Sequence, residues 1–161
     1  MNTQIIYNLD GDIIYESKFA TTFKKAVEEA VRQKIDLSYA RLGWSDLYNA
    51  DLDGAKLQYA DLQHSLLNFA DINKADLRHA NLSYAKLYKA NLYETNLFGA
   101  KCIEASFHSS YLTKANFNNT NCYNANFHGA NITAAKFRSA DLTDASFFKS
   151  KYLFIKDKGE A

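Results

Sequence analysis

Large apolar residues recur every five positions from Leu37 to Tyr152, and from Leu42 onward a small residue, usually Ala, stands two places before each. Ala50-Asp51-Leu52-Asp53-Gly54 runs directly into Ala55-Lys56-Leu57-Gln58-Tyr59 and Ala60-Asp61-Leu62-Gln63-His64. Residues 35–154 thus form 24 uninterrupted pentapeptides, and the large apolar residue of each is called its centre below. A period of five is not helical, because positions five apart on an α-helix sit about 140° from each other and the apolar residues would spiral around it. Simple alternation fails as well. A chain that turns a corner every five residues fits, with the small residue and the centre pointing inward and the other three pointing to water. Four such sides close a 20-residue square coil. The 24 repeats predict six coils, stacked ~4.8 Å apart by β-type hydrogen bonding, hence a solenoid about 29 Å long.

The first 34 residues break the pattern. Ile5-Ile6-Tyr7-Asn8-Leu9 and Ile13-Ile14-Tyr15-Glu16 flank Asp10-Gly11, which predicts a hairpin closed by a type I′ turn with φ > 0 at both central residues. Between Thr21 and Lys34, the residues Phe23, Ala26, Val27, Ala30 and Val31 share one helical face. Thr21 or Thr22 can cap the helix, and Arg32 and Lys34 suit its negative end. The expected organisation is one structural domain: a hairpin and capping helix over 1–34, the repeat array over 35–154 and a short tail over 155–161. The helix would cover the open end of the array, where core and unpaired backbone are otherwise exposed.

The motif Ala-(Asp/Asn)-Leu-X-X, seen in Ala75-Asp76-Leu77-Arg78-His79, Ala80-Asn81-Leu82-Ser83-Tyr84 and Ala90-Asn91-Leu92-Tyr93-Glu94, resembles that of the pentapeptide-repeat family. The resemblance implies an all-β solenoid, a right-handed quadrilateral β-helix, and suggests a bacterial source. Some members resemble B-form DNA, bind DNA gyrase and confer quinolone resistance. Others dimerise through the C-terminal coil.

Stacking at 20 residues sorts the centres into four ladders. Leu dominates the first three coils, and Phe107, Phe117, Phe127, Phe137 and Phe147 enter from the fourth together with Cys102 and Cys122. The two cysteines read as space compensation for the larger rings. A redox pair is the sharper alternative, since neighbouring coils bring Cα atoms to a disulfide-compatible distance.

Charge bears on function at this point. Net charge is +1, which argues against a polyanion binder driven by bulk charge. Sorted by face, the Leu37, Leu42, Leu47 and Leu52 faces carry +2, −2, +2 and −1. A DNA mimic needs a carboxylate stripe matching about one phosphate per 1.7 Å of duplex axis. No face supplies one, and the array carries none of the interrupting loops of the resistance-type relatives. Arg41, Lys56, Lys86, Lys101, Lys136 and Lys151 stand where the motif has Asp or Asn. Gyrase-directed mimicry is therefore the alternative reading. The first is a non-enzymatic interaction or scaffold module with an unidentified protein partner and no direct nucleic-acid binding.

Tyr48, Leu66, Phe69 and Tyr88 fall together on the Leu47 face as an apolar and aromatic patch of the kind that marks interfaces. The same residues also fit plain inter-coil stacking. His108 and His128 are 20 apart on that face, but a zinc site wants a third ligand and none is in register, so no metal and no cofactor are expected. Trp44, His64 and Tyr84 form a further outward column, as do Tyr39, Tyr59 and His79, without the basic groove that base stacking needs. No nucleophile–base pair, paired-carboxylate cleft or Gly-rich loop occurs, so no catalytic residue is expected. Phe147, Phe148, Tyr152, Leu153, Phe154 and Ile155 crowd the last coil and suggest an end-to-end homodimer, or a tail folded over its own coil. No apolar run approaches the roughly 20 residues of a membrane span and no secretory segment follows Met1, which predicts a soluble, cytoplasmic protein.

Overall fold

A hydrogen bond from the N–H of Leu42 to the carbonyl of Asp61, at 2.8 Å, sets the rule for the rest of the chain. The computed structural model describes residues 3–151. Parallel bridges pair residues 20 apart, from Arg41 with Asp61 to Asn131 with Lys151, so each side of the solenoid is a ladder of one-residue bridges. The centres from Leu37 to Phe127 are at most 1% exposed and form one continuous core with the small residues that precede them.

The pentapeptide can be read as a complete assignment of backbone donors, which burial demands. The N–H of the centre and of the residue two after it go to carbonyls of the next coil, as Leu42 to Asp61 and Trp44 to Gln63 do. The N–H before the centre goes back to the previous coil, as Asp61 to Ala40 does. The small residue closes the corner by donating to the preceding centre, Ala50 to Leu47 at 3.0 Å. The fifth N–H, directly after the centre, has no backbone partner in this scheme. Every Asp or Asn before a centre, from Asp36 to Asp141, accepts it through Oδ1. This is an Asx turn, and it explains why the motif accepts Asp and Asn alike: the position needs an acceptor two residues back, and charge is incidental. Where Lys occupies the position, a side chain of the coil before can substitute. Asn68 accepts from Tyr88 N–H at 2.9 Å across Lys86, and Asn118 from Arg138 N–H at 2.8 Å across Lys136.

Each corner puts the second residue after the centre at φ between 52° and 68°, the left-handed region. Tight turns normally reserve that region for Gly or Asn. Tyr39, Trp44, Tyr59, His64, Phe69, His79 and Tyr84 all adopt it here. Strain of ~1–3 kcal/mol per residue is the usual scale for such a conformation. It is offset at these corners by ring stacking between coils, 4.9 Å between Tyr39 and Tyr59 and 4.7 Å between His64 and Tyr84.

The N-terminal elements are two antiparallel strands, β1 (Gln4–Tyr7) and β2 (Ile13–Ser17), and one helix, α1 (Phe23–Arg32). The expected type I′ turn is not formed. Gly11 has φ 96° but Asp10 does not join it at positive φ. Asn8 takes over the corner instead: its side chain accepts from the N–H groups of Asp10 and Asp12, while its backbone bridges Ala40 of the array. That second attachment widens the loop beyond two residues. Thr22 caps α1 by accepting from Lys25 N–H at 3.2 Å. The helix ends in a Schellman arrangement, Ile35 N–H to Ala30 and Lys34 N–H to Val31, with Lys34 rather than Gly at φ 58°. Ala26, Val27 and Ala30 are fully buried.

These elements take up donors that the first coil cannot place on a preceding one. Arg41 N–H donates to Tyr7 of β1, and its guanidinium reaches the Leu9 carbonyl. Asp51 N–H donates to the Glu28 carboxylate of α1 at 3.2 Å, and Lys24 reaches the Tyr48 carbonyl. At the far end, Ile132, Phe137, Leu142 and Phe147 are only half-buried. Tyr152, Leu153, Phe154 and Ile155, expected at the dimer end, lie outside the described residues, as does the tail from 156 to 161.

Candidate interaction surface

On the Leu47 face the residues just after the centres turn outward, and their rings align from coil to coil. Tyr48, Phe69 and Tyr88 meet there, with centroids 5.4 Å apart at each step, tilted at 57° and then edge-on at 88°. Leu66 lies on the bridge row between Asp46 and Lys86 and is 37% exposed. Phe69 reaches the ladder although it sits one position later in its repeat than Tyr48 and Tyr88 do, because Asn68 is engaged with the Tyr88 backbone.

The ladder extends further than those four residues. Tyr88 packs edge-on against His108 at 5.3 Å, His108 against His128 at 4.9 Å, and His128 against Phe148 at 5.2 Å. Six rings therefore run in one unbroken line along the solenoid. The 20-residue spacing of Tyr88, His108, His128 and Phe148 places the two histidines within this line rather than as an isolated pair. Phe148, expected at the dimer end, closes the ladder and is 64% exposed beside Lys149. The upper end of the ladder opens on a groove of about 650 Å³ between the start of α1 and the first coil, lined by Thr22, Phe23, Lys24, Arg41, Asp46 and Tyr48.

The other columns differ in geometry. Trp44, His64 and Tyr84 lie nearly parallel, at 3.9 Å and 4.7 Å, as do Tyr39, Tyr59 and His79, at 4.9 Å and 5.0 Å. Their faces are occupied by one another. On the Leu52 face, Lys114 bridges Glu94 at 2.9 Å and the Tyr93 hydroxyl at 3.0 Å, and these two partners raise its pKa, Tyr93 foremost.

Chemistry of other kinds finds little support in the geometry. Among the described residues no three His, Cys, Asp or Glu side chains converge on a point that could hold a metal. Cys102 and Cys122 are free, fully buried thiols. The neighbouring Cys122 thiol, together with burial, pushes Cys102 well above the ordinary thiol range. A thiol in that state is a poor nucleophile. Among the described residues no helix is long and apolar enough to cross a membrane.

A family model described as pentapeptide repeats matches the chain in 8 copies, over residues 35–68, 60–99, 75–112, 90–121 and 110–147. Among solved structures, the chain is similar to a pentapeptide repeat protein of the Arabidopsis thaliana thylakoid lumen. Identity is 28% and the TM-score 0.54, over 68% of this chain and 70% of that one. It is also similar to Rfr23, a pentapeptide repeat protein of the cyanobacterium Cyanothece 51142, at 28% identity and a TM-score of 0.33, over 65% of this chain and 61% of that one. QnrB1, a plasmid-mediated fluoroquinolone resistance protein, matches at 22% identity and a TM-score of 0.27, over 68% of this chain and 60% of that one. No curated protein matches the sequence.

Proposed function

The chain belongs to the pentapeptide-repeat family, whose fold is a right-handed β-helix solenoid, and from that premise we propose that it is a non-enzymatic interaction module. Six square coils, covered at one end by the hairpin and helix, act in this reading as a rigid support for one protein-binding face. The observation that carries it is the six-ring ladder from Tyr48 to Phe148, with Leu66 exposed beside it. Aromatic side chains held rigid by their neighbours present amphipathic area with little rotamer entropy left to lose on binding.

Gyrase-directed DNA mimicry is the weaker reading. The carboxylates before the centres are engaged as Asx acceptors, and every face carries Lys or Arg as well as carboxylates, so that none is a continuous acidic stripe. An end-to-end homodimer through the last coil stays within the proposal, supported by the half-buried Phe137, Leu142 and Phe147. A cytoplasmic location and a bacterial source belong to the same reading.

Crosslinking in cells of origin tests it, with a Leu66→Lys, Phe69→Lys variant as the control. A protein captured by the parent and lost with the variant supports the assignment, and equal capture by both overturns it. Purified protein should leave gyrase supercoiling unchanged with and without a fluoroquinolone. Inhibition or drug protection at low-micromolar protein would move the assignment to DNA mimicry. Light scattering at high concentration checks the homodimer, which a monomer mass would exclude.

A further inference from the structure

From Ser65 to Lys149, the five pentapeptides of the Leu47 face contain no Asp and no Glu, while Lys86, Lys89 and Lys149 are all exposed on it. The ammonium of Lys89 rests over the Tyr88 ring at 5.2 Å and that of Lys149 over the Phe148 ring at 5.3 Å. Among the described residues none of these three lysines forms a salt bridge, whereas Lys114 on the Leu52 face is already held by Glu94. The aromatic ladder is therefore edged by cations that no carboxylate among the described residues neutralises in a salt bridge.

We propose that this face binds an acidic, extended polypeptide segment, with carboxylates seated on the lysines and apolar side chains packed along the rings. The proposal rests on the reading of the Leu47 face as a protein-binding surface and names the partner's chemistry. Two observations favour a peptide over a nucleic acid. First, the ladder is packed edge to face, at 88°, 81° and 65° over its middle steps. Neighbouring ring edges thus occupy the faces on which bases would stack. Second, the flanking faces are net acidic: Asp61, Glu104, Asp141 and Asp144 outnumber Arg41 and Lys101 on one side, and Asp51, Asp53, Asp71 and Glu94 outnumber Lys74, Lys114 and Lys151 on the other. A duplex wide enough to overlie them would meet like charge, and a single extended strand would not.

The spacing adds a constraint. Lys86 and Lys89 lie in one coil and Lys149 three coils further on, about 14 Å away at ~4.8 Å per coil. An extended chain rising ~3.3 Å per residue covers that in four or five residues. The segment should place acidic residues about that far apart, with aliphatic or aromatic residues between them.

The test is a selection from displayed random 12-residue peptides on the purified protein, followed by fluorescence anisotropy of the enriched sequences. Three proteins are compared: the parent, Lys86→Glu/Lys89→Glu and Leu66→Lys/Phe69→Lys. Circular dichroism establishes that each is folded. The expected result is enrichment of net-negative peptides with apolar residues, whose affinity falls at least tenfold on charge reversal and declines with added salt. Enrichment of neutral or basic peptides, affinities unmoved by the charge reversal, or no enrichment at all overturns the proposal. Peptides that are not acidic but lose binding to Leu66→Lys/Phe69→Lys leave the face a protein-binding surface and remove only the acidic partner. A 12-nucleotide oligothymidylate that binds this face more tightly than the selected peptides overturns the proposal in favour of single strands.

Discussion

The imidazole of His79 lies across the space that a side chain at Gly99 would fill: an ideal Cβ there falls 2.6 Å from both Cε1 and Nδ1 of the ring. Gly99 has φ +68°, and Gly54, with φ +64°, occupies the equivalent corner of another face with nothing within 4 Å of its Cβ position. The two glycines therefore separate conformational cost from steric cost. Gly54→Ala should lose about 1 kcal/mol, the cost of a left-handed corner for a residue with a Cβ. Gly99→Ala should lose about 1 kcal/mol more, because it also displaces His79 from its stack on Tyr59. Urea unfolding of the two variants checks this, and equal losses would show that His79 moves aside freely.

The Asx turns need an acceptor before the centre but not a charge, so charge and stability should separate there. Asn126 Oδ1 accepts the His128 N–H at 2.9 Å, with uncharged Ser106 and Ser146 on the bridges above and below. Asn126→Ala should cost about 1 kcal/mol, the usual worth of such a bond. Asn126→Asp keeps the acceptor and should stay within about 0.5 kcal/mol of the parent at neutral pH, the range of ordinary surface changes. Thermal melts of both variants decide between this account and one in which the position matters for its charge.

How far the sequence discloses this molecule depends on the length scale of each signal. The register is legible because every centre from Leu37 to Phe127 must be buried, and one slipped residue would expose them all. The helix is legible for the same reason, through Ala26, Val27 and Ala30. The hairpin corner is not, because Asn8 is fixed by Ala40, a residue 32 positions away. The patch of Tyr48, Leu66, Phe69 and Tyr88 can be placed from the 20-residue spacing. Its continuation through His108, His128 and Phe148 depends on ring orientation, which spacing does not encode. The left-handed corners at Tyr39 and Trp44 were equally hidden, since composition alone favours Gly and Asn there.

Acid should weaken the solenoid through the same carboxylates. Hydrogen bonding by Ser38 to Asp36, and by Thr143 to Asp141, holds both carboxyls below their ordinary value. A folded-state pKa below the unfolded one contributes stability that is complete above the unfolded value, about 4 for Asp, and is lost as pH falls through the folded value. The melting temperature should therefore be flat near neutrality and decline below about pH 4. Asp36→Asn/Asp141→Asn retains both acceptors without titrating and should show a shallower decline. Melts between pH 6 and pH 2 that fall in parallel for parent and variant would assign the acid limb to other groups.

Interlocked rings fill the aromatic half of the core. Phe107 stacks on Phe127 at 4.9 Å and Phe127 on Phe147 at 4.7 Å, while Phe117 and Phe137 form the facing stack at 4.9 Å. The two stacks interlock edge to face, with Phe117 5.4 Å from Phe107 and 5.6 Å from Phe127. Cys102 and Cys122 occupy the ladder between them, where Leu42, Leu62 and Leu82 stand in the Leu-filled coils. Interiors at crystal-like density leave no room for two added methyl groups at that point. Cys122→Leu should therefore destabilise by about 1–3 kcal/mol despite its greater apolarity. Phe117→Leu in the same chain should recover part of that loss, because it frees the volume the new side chain requires. Urea unfolding of the single and double variants measures the coupling. A stabilising Cys122→Leu would show that the cysteines leave space unfilled, and the volume argument would fail with it.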